Sequence, residues 1–298
     1  MPESARVIAY ARRFGDGQRL GLGSLLRGLG AEVTDASATG AETYDVLSFD
    51  ILLPADAAGL LAGLRARLWE WGARTGVGAA LVPPSVYAPG PKLLIMDVDS
   101  TLIKQEVIEL LAAHAGREAE VAAVTEAAMR GELDFAQSLH HRVRALEGLP
   151  VSVIDDVVGT IELSDGAGAL VAAYRNAGHR VGVVSGGFSQ VLAPLAEHLR
   201  FSFAVANDLE VADGILTGRV AGSVVDRRAK ERTLRAEAER AGIPLSATIA
   251  VGDGANDLDM LAAAGLGVAF NAKPAVRAAA DVALDLPDLD IVRHFAGL

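Results

Sequence analysis

The chain has 298 residues, 51% of them hydrophobic, with 32 glycines and a formal net charge of −11. That size and composition fit a globular α/β protein of two or three domains, and so acidic a chain is a poor partner for nucleic acid. The absence of cysteine excludes a disulfide scaffold, thiolate zinc sites and a cysteine nucleophile. Residues 1–90 hold eight Arg and nine acidic residues, so nearly all the negative charge lies beyond them. Met1-Pro2-Glu3-Ser4 starts no basic-then-apolar leader, and the longest uncharged stretch, 75–91, is interrupted by Pro83, Pro84, Pro89 and Pro91. The expectation is a cytoplasmic protein with no membrane span.

Taken in order, Arg6 to Ala11 reads as a strand and Gly15-Asp16-Gly17 as a turn. Leu20, Leu22, Leu25, Leu26 and Leu29 recur at helical spacing up to Gly30, a C-cap residue. Residues 31–39 and 44–53 read as strands joined around Gly40. Residues 56–75 read as a helix with Leu60, Leu61, Leu64, Leu68 and Trp71 on one side, and 77–82 as a closing strand. Trp69 and Trp71 are expected to pack or to meet a partner. The order βαββαβ predicts a ferredoxin-like unit over residues 1–82. Its length and order resemble the ACT domains, although the loop Gly15 to Gly21 lacks the Asp-Arg-Pro-Gly-like turn of that family. The resemblance implies a regulatory or dimerisation unit, and with it a homodimer. Pro83 to Pro91 then reads as a linker.

Leu93 to Met96 is an apolar run, a strand buried on both faces, and it leads into Asp97-Val98-Asp99-Ser100-Thr101. Alternation sends the two aspartates to the same side, at the strand end where open α/β sheets bind ligands. Carboxylates so close need a proton or a cation between them. Asp97 is thus a candidate nucleophile and Asp99 a candidate general acid for phosphoryl transfer, with Mg²⁺ to offset the repulsion. Ser100 and Thr101 are expected to cap a following helix.

Residues 105–148 keep a helical pattern, as in Val107-Ile108-Leu110-Leu111, until Gly148-Leu149-Pro150 breaks it. A further short helix is expected at 153–158. This block, about 105–165, reads as a helical cap inserted over the strand ends. Residues 168–177 are helical, and Arg180 to Val184 is a second buried strand ending in Ser185-Gly186-Gly187-Phe188, a turn whose N–H groups can face an anion. Residues 203–221 read as a hairpin around Asp213-Gly214. Lys230 lies in a charged helix, 226–241, where a lone Lys is normally solvated. A third strand, Thr248 to Val251, ends in Gly252-Asp253-Gly254-Ala255-Asn256-Asp257, a loop able to bring carboxylates to a cation. Gly267 to Phe270 is a fourth strand.

The ordered set Asp97-Val98-Asp99-Ser100-Thr101, Ser185-Gly186-Gly187, Lys230 and Gly252 to Asp257 resembles the haloacid dehalogenase-like superfamily of aspartyl-phosphate enzymes. Within it, Asp97 to Glu106, Gln137-Ser138-Leu139 with Arg142-Val143, Val184 to Phe188 and Val251 to Asp257 are similar to the phosphoserine phosphatase family. The resemblance covers about residues 92–298. It implies a Rossmann-like parallel sheet with an inserted helical cap. It implies Asp97 as nucleophile and metal ligand, and Asp99 as general acid/base with its main-chain carbonyl on the metal. Asp253 would be a further ligand and Asp257 would hold metal-bound water. Ser185, Gly186 and Lys230 would bind the phosphoryl group, and Asn256 would hold neighbouring groups. In the cap, Glu106 would meet a substrate ammonium, Arg142 its carboxylate, and Met129 and Phe135 would form an apolar wall. His140 and His141 are left as surface residues.

The expected activity is Mg²⁺-dependent hydrolysis of O-phospho-L-serine, the last step of serine biosynthesis. A phosphotransferase passing the phosphoryl group to an alcohol such as homoserine shares every motif. A catalytically silent amino-acid sensor is the alternative of another class.

Overall fold

The computed structural model describes residues 3–54, 58–129, 132 and 134–298. Strand β1 (Glu3–Ala11), helix α1 (Asp16–Gly28), strands β2 (Glu32–Gly40) and β3 (Asp45–Leu53), helix α2 (Ala58–Thr75) and strand β4 (Gly78–Val82) make the first unit. Its strands form an antiparallel sheet in the order β2-β3-β1-β4. Alternation gives β1 two apolar faces. Val7, Ala9 and Ala11 meet Leu22, Leu26, Leu64, Leu68 and Trp71 of the helices. Ile8 and Tyr10, with Tyr44, Val46, Ala80 and Val82, belong instead to the core of the rest of the chain.

The sheet therefore docks its second face on the body. Tyr10 Oη donates to Ala283 O at 2.9 Å, and Tyr44 Oη to Asp290 Oδ2 at 2.7 Å. The stretch expected to be a linker is built into this junction. Helix α3 (Pro84–Tyr87) buries Val86, and Lys92 Nζ donates to Ser85 O at 2.9 Å. Proline does not prevent this turn, because Pro83 and Pro84 sit at its start, where a missing N–H costs nothing.

The body continues with β5 (Leu93–Met96), α4 (Val107–His114), α5 (Glu118–Met129), α6 (Phe135–Arg144), α7 (Val153–Val158) and α8 (Ala167–Asn176). Next come β6 (Arg180–Phe188), α9 (Ser189–Leu199), β7 (Phe203–Ala212), β8 (Ile215–Ala221) and α10 (Arg227–Arg240). The chain ends with β9 (Thr248–Gly252), α11 (Leu258–Ala263), β10 (Leu266–Phe270), α12 (Pro274–Ala279), β11 (Val282–Leu284) and α13 (Val292–Phe295). The strands run in the order β11-β10-β9-β5-β6-β7-β8, parallel except for the β7-β8 hairpin.

Every residue of β5, β9 and β10 is buried, as the uninterrupted apolar runs require of parallel strands covered on both faces. The sequence pattern does not predict β11, whose three residues carry no readable period. Helices α4 to α7 form the insertion between β5 and β6, and the hairpin strand β8 packs against α6. Among the described residues no helix is long and apolar enough to cross a membrane.

Candidate active site

The last ladder bond of β5, Asp97 N to Val251 O at 2.9 Å, sets the first aspartate beside the end of β9. The expected helix cap does not follow. Residues 98–102 make a wide turn with Ser100 at φ 54°, and α4 starts only at Val107. Glu106 stands at the N-cap without capping through its side chain, and Asp99 supplies the cap from a distance: its Oδ1 accepts from Val107 N at 2.8 Å. Ser100 and Thr101 serve elsewhere. Ser100 Oγ donates to Glu106 Oε1 at 2.6 Å, and Thr101 Oγ1 to Asp253 Oδ1 at 3.2 Å.

Asp97, Asp253 and Asp257 offer carboxylate oxygens that lie within 4.8 Å of one another, all buried. Lys230, read alone as a solvated helix residue, has a fully buried side chain here. Asp226 caps α10, accepting from Ala229 N, and the helix's first turns aim Lys230 inward. Its Nζ lies 2.7 Å from Asp97 Oδ1 and 2.7 Å from Asp257 Oδ1. Asp257 Oδ2 accepts from the N–H groups of Asp253 and Gly254, which folds the loop back on itself. At Gly252 a Cβ would fall 2.4 Å from Asp257 Cγ, so glycine is required for that close approach. Asp97 Oδ1 also accepts from Val98 N at 2.7 Å, while no described donor engages Oδ2.

One ammonium faces three buried carboxylates. Burial, then Asp257, pushes the Asp97 carboxyl up to about 7 against the pull of Lys230. Burial, then Asp97 and Asp257, raises Asp253 well above its ordinary value. Burial opposes the charge on Lys230, yet Asp257 and Asp97 more than offset it and its pKa rises. A hard divalent cation fits such a set, because buried carboxylate oxygens are its preferred ligands and its charge removes their repulsion. A pH dependence follows. With excess chelator, melting temperature should fall as pH rises from 5 to 8. The raised carboxyls keep their protons in the folded state where the unfolded chain has lost them, and this stability disappears as they ionise. Saturating divalent cation should flatten the slope; an equally flat profile in chelator would refute the account.

Asp99 stands apart from the cluster. Its Oδ2 accepts from Ser185 Oγ at 3.0 Å, and burial raises its pKa against the bonds from Val107 and Ser185. Ser185 Oγ in turn accepts from Gly187 N at 2.7 Å. A Cβ on Gly187 would lie 2.9 Å from Asp99 Oδ2, so a side chain here would displace that carboxylate. Strand β6 runs through this segment to Phe188, and α9 begins at Ser189. The turn is held from behind by Asn207, 1% exposed, whose Nδ2 donates to Gly186 O at 2.8 Å and whose Oδ1 accepts from Val225 N at 2.7 Å. Nothing in its local sequence marks Asn207 out.

The cap brings Glu106 and Arg142 to the same place. They line a cavity of about 50 Å³ together with Asp97, Asp99, Asn256 and Gly186. Burial, then Asp99, pushes the Glu106 carboxyl up to about 8, opposed by the bond from Ser100. Burial lowers the pKa of Arg142 against the pull of Glu106. Its Nη1 donates to Thr125 Oγ1 at 3.1 Å, a partner that the sequence pattern does not single out. The backbone of Met129 ends α5 and that of Phe135 begins α6, but both side chains lie outside the described residues. His140 and His141 are exposed.

A model of the haloacid dehalogenase-like hydrolases matches residues 94–262. The phosphoserine phosphatase of Streptomyces coelicolor is 57% identical over 235 residues, 79% of this chain and 57% of the relative. Phosphoserine phosphatase SerB2 of Mycobacterium tuberculosis is 56% identical over 207 residues, 70% of this chain and 51% of the relative. The chain thus spans about half the length of these curated relatives. Among solved structures, a phospho-aspartyl intermediate analogue of phosphoserine phosphatase superposes with a TM-score of 0.67 at 42% identity, over 69% of this chain and 99% of its own.

Proposed function

The chain belongs to the haloacid dehalogenase-like hydrolases, and from that premise we propose that it hydrolyses O-phospho-L-serine to L-serine and phosphate, the last step of serine biosynthesis. One observation carries the substrate class: a carboxylate, Glu106, and a guanidinium, Arg142, share a small cavity with Asp97 and Asp99. A phosphorylated amino acid brings phosphate, ammonium and carboxylate, and the cavity has a partner for each. An incoming ammonium favours the ionised form of Glu106 and reverses the upward shift that burial causes.

In this reading Asp97 Oδ2 attacks phosphorus opposite the serine oxygen. Asp99, whose pKa burial raises, acts as general acid and gives a proton to that oxygen as the P–O bond breaks. The Asp99 carboxylate then takes a proton from water, whose oxygen attacks the aspartyl-phosphate and frees Asp97. Ser185, the Gly186 N–H and Lys230 hold the phosphoryl oxygens, and Asn256 borders them. Asp97, Asp253 and the Asp99 carbonyl would hold Mg²⁺, with Asp257 behind its water. The bound ion would neutralise the phosphate facing the nucleophile. Closure of the cap over bound substrate would exclude bulk water.

The test is phosphate release from O-phospho-L-serine, with Mg²⁺ and with excess chelator, beside phosphothreonine and an aryl phosphate. Metal-dependent release favouring phosphoserine supports the reading. Transfer to an added alcohol in place of water would make the protein a phosphotransferase. Arg142→Ala should lower kcat/KM for phosphoserine at least 100-fold more than for the aryl phosphate, since only phosphoserine presents a carboxylate. Equal losses would remove Arg142 from substrate recognition.

The same reading divides the chain into an ACT-like unit at 1–82, a connector at 83–91 and the phosphatase body at 92–298, located in the cytoplasm. Pairing of two copies through β2 would give a homodimer: this edge strand has nine residues, eight of them exposed.

A further inference from the structure

A buried guanidinium has five N–H donors in one rigid plane, and its usefulness depends on how that plane is turned. Arg142 is 5% exposed. Its Nε donates to Ser138 O at 3.3 Å, on its own helix one turn back, which sets only where the side chain leaves α6. Its Nη1 donates to Thr125 Oγ1 at 3.1 Å, across the gap to α5. Thr125 is 2% exposed and lines the same cavity.

The hydroxyl of Thr125 has no freedom of role. Oγ1 donates to Val121 O at 2.9 Å, so its hydrogen is committed to its own helix and only its lone pairs face Arg142. It is also uncharged. A carboxylate at this position would pair with the guanidinium and compete with the carboxylate of the substrate. A hydroxyl that can only accept turns the guanidinium plane and leaves its positive charge available.

We propose that Thr125 is a positioning residue for substrate specificity: it orients Arg142 so that the remaining N–H groups meet the substrate carboxylate. This rests on the reading of Arg142 as the carboxylate clamp. Thr125 touches no reacting atom, so its removal should appear in substrate binding more than in turnover.

The experiment compares Thr125→Val, which keeps the shape and loses the acceptor, with Thr125→Ser, which keeps the hydroxyl. Thr125→Val should raise KM for O-phospho-L-serine about tenfold, the scale of one hydrogen bond to a charged group, with kcat changed less than about threefold. Its effect on an aryl phosphate should be several-fold smaller. Thr125→Ser should return KM to within about twofold of the parent. In an Arg142→Ala background, Thr125→Val should add almost nothing, because the two residues act as one unit. Melting curves of each variant separate positioning from packing. An unchanged KM in Thr125→Val, or a Ser variant as impaired as the Val variant, overturns the proposal. So does an equal loss on both substrates. If Arg142→Ala is itself unselective, the clamp reading has failed; if Arg142→Ala is selective and Thr125→Val is not, only the role of Thr125 has failed.

Discussion

Asp97→Asn should lower phosphate release from O-phospho-L-serine about 10,000-fold or more while the protein remains folded. The amide is no nucleophile toward phosphorus, and loss of a covalent catalytic group removes most of the rate enhancement. The fold should survive because Lys230 keeps Asp257 as a counter-ion at 2.7 Å and the β5 backbone bond to Val251 is untouched. Asparagine also relieves the repulsion that burial and Asp257 impose on Asp97. Phosphate release and a melting curve on the same preparation check both halves. Substantial remaining turnover by a folded variant would sink the covalent route and leave Asp97 as a metal ligand alone.

The second large effect is expected at Lys230. Lys230→Met leaves Asp97 and Asp257 buried without their shared ammonium, and breaking a buried pair this way costs about 3–5 kcal/mol. For a protein of this size that is a melting temperature lower by about 10 °C. The deficit should be smaller at pH 5 than at pH 8. Removing the cation takes away the pull that opposes the upward shift of Asp97, and the variant loses stability as pH rises through the pKa of that carboxyl. Turnover should fall at least about 100-fold, since the positive charge proposed to hold the phosphoryl group is lost. A variant that melts like the parent at pH 8 would mean the ammonium is not the counter-charge of the cluster.

Much of the fold was legible because its signals are local. The apolar runs at 93–96, 248–251 and 267–270 are strands covered on both faces, and each of the first two ends where the aspartates stand. Leu22 and Leu26 of α1 and Leu64 and Leu68 of α2 bury as their spacing demands, whereas Leu20, expected on the same face, is 74% exposed. What failed was also local reasoning, applied where a distant partner intervenes. Ser100 and Thr101 have the chemistry of helix caps, but Asp99 reaches Val107 first and the two hydroxyls turn to Glu106 and Asp253. The proline-rich 83–91 looks like a spacer, yet the docking of the first sheet draws Val86 into the core. Lys230 sits in a run of charge that by itself belongs in water.

The sequence by itself determined which chemical groups stand at which strand ends. Strand, glycine turn and following carboxylate are neighbours along the chain, and side-chain alternation is a property of the backbone. Only the tertiary structure decided which of these groups meet. Lys230 lies between Asp97 and Asp257, Thr101 donates to Asp253 from 152 residues away, and Thr125 on one cap helix faces Arg142 on the next. Such pairings depend on strand order, helix packing and exclusion of water, and a buried charge acquires its partner only when all three are in place.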